Sequence, residues 1–282
     1  MTKDNFLEDD MTNNWGCNYV NVFKQRTEYS RRFLERAISR DVVGYNLFSL
    51  EKNGSKANDM AIQLSTNNDY SNCLFGIGCY LAGDGSILQK YSTNAFNQTK
   101  SLTLPIDPCS VKYNEITKQA VALPYFIPTE KHDREKQINI EKECIKELHC
   151  RLLVSIFIGK PIKAIILEYI LAGNGGKLSN EFLIKIGKLC QVFGIVIIAD
   201  EVLTGCHVGP NATITQRMPE EFKNQVQYIT MGKIFGCGIV LEKVSKVYLP
   251  LEEKERGVSS DIVPSEAYCL WDNVMGKIYE KN

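Results

Sequence analysis

The sequence is poor in the closely spaced residues that build metal sites. It contains only three histidines, which are scattered along 282 residues, and none of its ten cysteines forms a C-x-x-C pair. Zinc sites are typically built from such pairs, with further Cys or His residues at short spacing. We therefore expect no resident metal, and we expect reduced, partly buried thiols.

The sequence also lacks an excess of charge and a long apolar run. Lys plus Arg and Asp plus Glu both number 33, so the formal net charge is zero. A nucleic-acid-binding surface would need clustered basic charge. The longest apolar run, 193–199, is far shorter than the roughly 20 residues that span a bilayer, and the N-terminus does not resemble a secretory signal. We expect a soluble, cytoplasmic protein without nucleic-acid or membrane partners.

The segments that are present alternate between two patterns. Apolar segments typical of strands lie at 42–50, 73–81, 162–170, 195–202, 226–231 and, as one or two strands, 238–249. Segments typical of helices lie at 22–41, 56–64, 133–152 and 179–193. This alternation predicts an α/β fold with a mostly parallel sheet flanked by helices. Residues 1–20 are polar without periodicity and are predicted to be a flexible N-terminal segment.

Three segments that could bind a ligand lie at the ends of predicted elements. Asp200 and Glu201 end an apolar strand, Lys233 follows the next strand among glycines, and Gly54-Ser55 precedes a helix. In a parallel sheet, ligands bind at the carboxyl ends of the strands. Each segment alone has a simpler explanation: a turn cap, a surface lysine and an ordinary helix start.

Together, the three segments favour a pyridoxal phosphate site. Backbone N–H groups at a helix start can bind a phosphate. A strand-end acid can keep a pyridinium nitrogen protonated, and a lysine can hold the aldehyde as an imine and later move the proton.

At this point the sequence resembles the class-III (ornithine/4-aminobutyrate type) aminotransferases, which are fold-type-I pyridoxal-phosphate enzymes. The segments NGSKANDMAIQLS, ILEYILAGNGG, KLCQVFGIVIIADEVLTG and YITMGKIFGCGIV resemble family motifs in order and spacing, and the third is the most specific. The resemblance covers roughly residues 25–280. It implies the large, cofactor-binding domain of that fold over 21–282, with the small domain largely absent.

The resemblance implies roles for seven residues around pyridoxal 5'-phosphate. These are Lys233 as the Schiff-base lysine, Asp200 at the pyridinium nitrogen, Val202 under the ring, Gly54 and Ser55 at the phosphate, Tyr80 stacked on the other ring face, and Glu168 near the site mouth.

Several family positions differ in this sequence. Leu203 replaces a glutamine, Leu81 a histidine, Tyr169 a proline and Lys56 an acid, and the arginine of a family motif is missing from 205–209. Each change removes a polar contact or alters the backbone, but none removes the acid or the lysine.

Three interpretations therefore remain open. The first is an aminotransferase that transfers an amino group between an amino donor and a keto or aldehyde acceptor. The second is a catalytically degenerate homologue that acts as a binding or scaffold subunit. The third is an unrelated α/β enzyme that uses Asp200 and Glu201 with a metal. The resemblance also implies a homodimer, in which Ser259 or Ser260 of the neighbouring subunit could serve the phosphate.

Overall fold

One seven-stranded sheet organises the described part of the chain. The computed structural model describes residues 30–77, 120–126, 134–171, 176–207, 210–244 and 264–280. The strands there are β1 (Tyr45–Glu51), β2 (Cys73–Ile77), β3 (Ala120–Ala122), β4 (Ala164–Leu167), β5 (Val196–Glu201), β6 (Val226–Met231) and β7 (Gly238–Lys243). The helices there are α1 (30–41), α2 (Gly54–Thr66), α3 (Arg134–Phe157), α4 (Asn180–Phe193), α5 (Glu220–Lys223) and α6 (Pro264–Tyr279).

The strand order is β1-β7-β6-β5-β4-β2-β3, and only β7 runs against its neighbours. This arrangement confirms the predicted α/β fold with a mostly parallel sheet flanked by helices. Because β4, β5 and β6 are adjacent and parallel, their carboxyl ends meet at one edge of the sheet. That edge is where ligands bind in open α/β sheets.

Side chains alternate between two apolar layers along β5. Ile197 and Ala199 pack into the larger buried cluster, whereas Ile198 packs into a smaller cluster with Ala57 and Ala61 of α2. Successive side chains of a strand point to opposite faces. The two acids that end β5 are therefore directed to different faces of the sheet.

The helix ends follow the capping signals in the sequence. Ser179 accepts a hydrogen bond from the backbone N–H of Phe182 at 3.0 Å, and α4 ends at Gly194 with φ +66°. Asn53 accepts from the N–H of Lys56 at 3.0 Å, so α2 begins at Gly54, two residues before its predicted start. An Asn or Ser at this position satisfies an N–H that has no partner within the helix.

Some boundaries differ from the prediction. The described part of the segment predicted as one or two strands, 238–244, contains β7, and residues 245–249 lie outside the described residues. Strand β3 and helix α6 were not predicted. Tyr80, Leu81, Ser259, Ser260 and the predicted flexible segment 1–20 lie outside the described residues.

None of the helices in the described ranges is long and apolar enough to cross a bilayer. The longest, α3, carries charged residues over much of its length. Its last turn nevertheless exposes apolar side chains, of which Phe157 is the most exposed.

We expect Gly187→Ala to lower the free energy of unfolding by about 1–3 kcal/mol. A Cβ at position 187 in α4 would lie 2.7 Å from the Cα of Phe222, so α4 and α5 would have to separate. Gly276→Ala in α6 is the matched control, since nothing lies within 4 Å of its Cβ position. The control should be more stable than the wild type by about 0.5–1 kcal/mol, because alanine favours a helix over glycine. Urea denaturation measures both, and a Gly187→Ala protein as stable as the control would contradict the packing.

Candidate active site

A cavity of about 370 Å³ lies at the carboxyl ends of β4, β5 and β6. Its lining comes from the start of α2, the strand ends and the turn after β6. The lining residues are Asn53, Gly54, Ser55, Asn58, Glu168, Asp200, Val202, Leu203, Thr204, Lys233, Gly236 and Cys237. Six of the seven predicted site residues are among them, and the seventh, Tyr80, lies outside the described residues.

Asp200 is a buried acid whose two oxygens are both engaged. The Nδ2 of Asn58 donates to Oδ2 at 2.8 Å, and the backbone N–H of Val202 donates to Oδ1 at 3.0 Å. The second bond is the turn cap that was the simpler explanation of Asp200. The acid therefore both caps the turn and lines the cavity. Hydrogen bonds of this kind offset the cost of burying a carboxylate.

Glu201, the next residue, lies on the other face of the sheet and is fully buried. It accepts hydrogen bonds from the backbone N–H groups of Ile214 and Thr215, at 2.7 and 2.8 Å, and from the Thr215 hydroxyl at 2.6 Å. Burial raises the pKa of Glu201 to about 7 despite these three donors, and the charge of Asp200 acts in the same direction. The two adjacent acids therefore have different environments, because Asp200 lines the cavity and Glu201 is fully buried on the other face of the sheet. The described residues contain no group of three or more His, Cys, Asp or Glu side chains that could hold a metal ion.

Lys233 begins the turn that follows β6. Thr230 pairs with Asp200 across the β5–β6 ladder, so the lysine lies three residues beyond the partner of the acid. Its backbone has φ +44°, in the left-handed region, and the turn closes at Gly236 with φ +65°. A residue with a Cβ pays roughly 1–2 kcal/mol for this conformation, and such strain is common at functional sites.

Close backbone packing brings the start of α2 to this edge. A Cβ on Gly54 would lie 2.8 Å from Cγ2 of Val202, and a Cβ on Gly232 would lie 3.1 Å from the Cα of Gly54. A Cβ on Gly238 would lie 2.7 Å from the carbonyl carbon of Asn53. Glycine at these positions lets α2 begin against the ends of β5 and β6. The first N–H groups of a helix have no intrahelical partner and favour an anion.

The residues that depart from the family pattern have different surroundings. Leu203 lines the cavity. Tyr169 is buried, and its ring packs edge-on against Phe222. The hydroxyl oxygens of Tyr169 and Thr215 are 2.9 Å apart and form a hydrogen bond. Lys56 forms an ion pair with Asp59 at 3.2 Å. Of these, only Leu203 directly changes the lining of the cavity.

Sequence reasoning missed several residues of this site. Asn58 and Cys237 line the cavity, and Thr230 donates to Asn58 beside it. Burial raises the pKa of the Cys237 thiol to about 11, so it is mostly protonated at neutral pH. A signal for Asn58 was present, because it lies four residues after Gly54 and so on the same face of α2.

The chain is similar to known proteins in sequence over a short stretch and in fold over most of its length. No protein-family model matches the chain. A stretch of 81 residues is 37% identical to glutamate-1-semialdehyde 2,1-aminomutase of Bdellovibrio bacteriovorus, covering 28% of this chain and 18% of that protein.

Several solved aminotransferase structures share the fold. Lysine aminotransferase from M. tuberculosis in the internal aldimine form has a TM-score of 0.61 at 14% identity, over 94% of this chain and 63% of that one. A Bacillus anthracis aminotransferase has a TM-score of 0.61 at 16% identity, over 95% and 62%. A thermostable omega transaminase mutant from Pseudomonas jessenii has a TM-score of 0.61 at 15% identity, over 93% and 61%. The chain spans less than two thirds of each, and at these identities the likeness shows the fold.

Proposed function

We propose that this chain is a class-III-type, pyridoxal-phosphate-dependent aminotransferase, which transfers an amino group between an amino donor and a keto or aldehyde acceptor. The observation that carries the proposal is the shared cavity, in which Lys233, Asp200 and the start of α2 meet. The aminotransferases of the same fold and the aminomutase stretch support it. When bound, the cofactor supplies an aldehyde that takes up amino groups and a ring that withdraws electrons.

The residues present fit this cofactor. A volume of about 370 Å³ lies within the roughly 300–1,000 Å³ of small-molecule sites. The N–H groups of Gly54 and Ser55 are suited to the phosphate, and the Val202 side chain offers an apolar surface to the ring. The donors on Asp200 fix its carboxylate and leave it suited to a protonated ring nitrogen.

Asp200 and Lys233 would be the two catalytic residues. Asp200 would hold the positive charge of the ring nitrogen, because a buried carboxylate favours the protonated state of a nearby base. The Nζ of Lys233 would hold the cofactor and, once released by the amino donor, would accept and return a proton at the substrate carbon. Glu168, which is buried at the cavity wall, would belong to the cofactor-binding residues near the mouth of the site.

The proposal extends to the rest of the molecule through the family resemblance. Residues 21–282 would form the large cofactor-binding domain, and the chain would act in the cytoplasm as a homodimer without nucleic-acid or membrane partners. Size-exclusion chromatography coupled to light scattering tests the dimer, and a monomer of 31.9 kDa would contradict it.

An absorbance spectrum tests the cofactor and its lysine. We expect protein incubated with pyridoxal phosphate and then desalted to keep a band near about 410–430 nm. Lys233→Ala should lose the band, because alanine has no amino group that could form an imine with the aldehyde. Lys146→Ala is the matched control, since the Lys146 side chain is 74% exposed on α3, and it should keep the band. Borohydride reduction and peptide mapping should place the cofactor on Lys233.

A second candidate function is a non-catalytic binding or scaffold subunit. Leu203 favours it, because an apolar side chain lines the cavity where the family usually has a glutamine that contacts the cofactor ring. A folded wild-type protein with no retained band would support this candidate. A band that an amino donor bleaches would support the aminotransferase and identify the donor.

A further inference from the structure

We propose that Asn58 is the positioning residue for Asp200, and that Thr230 fixes which end of the Asn58 amide meets the acid. Only the identity of the ligand at Asp200 rests on the proposed function. Asn58 is buried on α2, Asp200 ends β5 and Thr230 lies on the adjacent β6. Three separate elements therefore meet in one series of hydrogen bonds, from Thr230 to Asn58 and from Asn58 to the Asp200 carboxylate.

Each oxygen of the Asp200 carboxylate accepts a hydrogen bond. The amide of Asn58 reaches Oδ2 at 2.8 Å, and the N–H of Val202 reaches Oδ1 at 3.0 Å. The Val202 bond is local, two residues along the chain, and would persist if α2 moved. The Asn58 bond links residues 142 positions apart and ties the acid to α2. Rotation of the carboxylate would break both bonds.

The chemistry of the partners sets the direction of the Asn58 amide. An ionised carboxylate only accepts hydrogen bonds, so the atom of Asn58 that meets it must be Nδ2. The oxygen end then needs a donor, and the Thr230 hydroxyl donates to it. A reversed amide would place two acceptors against each other at Asp200. Without the Thr230 hydroxyl, the buried Asn58 oxygen would lose that donor, which is costly.

The same residue links both halves of the proposed cofactor site. Asn58 lies one helical turn after Gly54, so the helix that presents the phosphate-binding N–H groups also carries the group that orients the acid. Loss of the Asn58 bond should therefore release the acid from the helix. The effect should exceed that of removing an ordinary surface hydrogen bond, because the partners are buried and one is charged.

A double-mutant cycle in the unloaded protein tests the link directly. The variants are Asn58→Ala, Asp200→Ala and the double substitution, measured by urea denaturation. We expect a coupling of at least about tenfold in the unfolding equilibrium constant, as for a hydrogen bond to a charged group. The Val202 bond is lost in both Asp200→Ala proteins and cancels from the cycle. A coupling below about twofold would overturn the proposal.

A matched pair at Thr230 tests the amide orientation. Thr230→Val removes the hydroxyl at nearly constant shape, whereas Thr230→Ser retains it. We expect the Kd for pyridoxal phosphate to rise about tenfold in the valine variant and to stay within about twofold of the wild type in the serine variant. Equal affinities of the two variants would overturn the assignment of Thr230.

Cofactor binding by the wild type and the double-mutant cycle together separate this inference from the proposed function. If the wild type binds no pyridoxal phosphate but the cycle shows coupling, the proposed function fails and the positioning of Asp200 by Asn58 stands. If the wild type binds the cofactor and the cycle shows no coupling, the positioning role fails alone.

Discussion

Trp271→Ala is expected to lower the free energy of unfolding by about 3–5 kcal/mol. Trp271 is fully buried on α6 and stacks on Phe235, with ring centroids 5.3 Å apart and an interplanar angle of 17°. Its Nε1 donates to Oδ2 of Asp41 at 2.8 Å. The substitution would leave a large cavity and would also remove a donor from a buried carboxylate.

Asp41 is the acid that attaches α6 to the end of α1. It accepts hydrogen bonds from Arg40 at 2.6 Å, from Tyr279 at 2.6 Å and from Trp271. Burial alone would raise the pKa of Asp41, but the hydrogen bonds from Arg40, Tyr279 and Trp271 outweigh it and hold the pKa below its ordinary value. A lowered carboxyl pKa stabilises the folded state above the unfolded pKa, and this contribution is lost as the pH falls. Attachment of α6 should therefore weaken in acid.

Two milder variants separate packing from hydrogen bonding. Trp271→Phe retains an aromatic ring against Phe235 but removes the donor, and should cost about 1–2 kcal/mol. Tyr279→Phe removes a donor from a half-exposed residue and should cost less than about 1 kcal/mol. Urea denaturation followed by circular dichroism ranks the three proteins. A Trp271→Ala protein as stable as Tyr279→Phe would contradict the packing of α6.

The same contact bears on the proposed active site. Phe235 belongs to the turn Lys233–Phe235, so the Trp271 ring supports the segment that carries the lysine. Under the proposed function, Trp271→Ala should therefore also weaken retention of pyridoxal phosphate, even under conditions in which the protein remains folded.

Helix α6 shows what the sequence could and could not predict. Pro264 at its first position and the spacing of Ala267, Trp271, Met275 and Ile278 are ordinary helix signals, so the helix itself was predictable. Its attachment was not, because Asp41 and Trp271 are 230 residues apart. No local pattern identifies a hydrogen bond over that separation.

The residues of the cavity also differ in how far the sequence could predict them. The segments around Gly54, Asp200 and Lys233 were recognisable because strand ends, glycines and a helix start leave local patterns. The position of Asn58 on the same face of α2 as Gly54 was also recognisable. Its contacts with Asp200 and Thr230 were not, because they depend on how α2 packs across β5 and β6. The separation of Asp200 from Glu201 follows from strand alternation and could have been predicted.

Glu201→Gln is the second substitution with a large expected effect. An amide can accept the two bonds from Thr215 through its oxygen, but its NH₂ group then faces the N–H of Ile214. Two opposed donors in a buried site should cost about 1–3 kcal/mol at pH above about 8, and the loss should grow in mild acid. Urea denaturation at several pH values measures both parts.

The direction of the pH effect follows from the raised pKa of Glu201. Burial raises this pKa to about 7 from its ordinary value of 4.5, so the folded state holds a proton that the unfolded state releases between these values. The resulting stabilisation is fully present below the unfolded pKa and is lost as the pH rises through the folded pKa. Glutamine cannot contribute it. The loss of stability in Glu201→Gln should therefore be greater at about pH 5 than at about pH 8 by about 2–3 kcal/mol.

Thr215→Val provides the control for this assignment. The Thr215 hydroxyl lowers the pKa of Glu201 by donating to it, so its removal should raise that pKa further and shift the pH-dependent loss of stability to higher pH. Protonation of the other groups affects the stability of wild type and variants equally. The difference between their pH profiles therefore reports the contribution of Glu201. Parallel pH profiles for wild type and Glu201→Gln would mean that Glu201 stays ionised throughout. Its three hydrogen bonds would then outweigh its burial, and the cost of the substitution would not depend on pH.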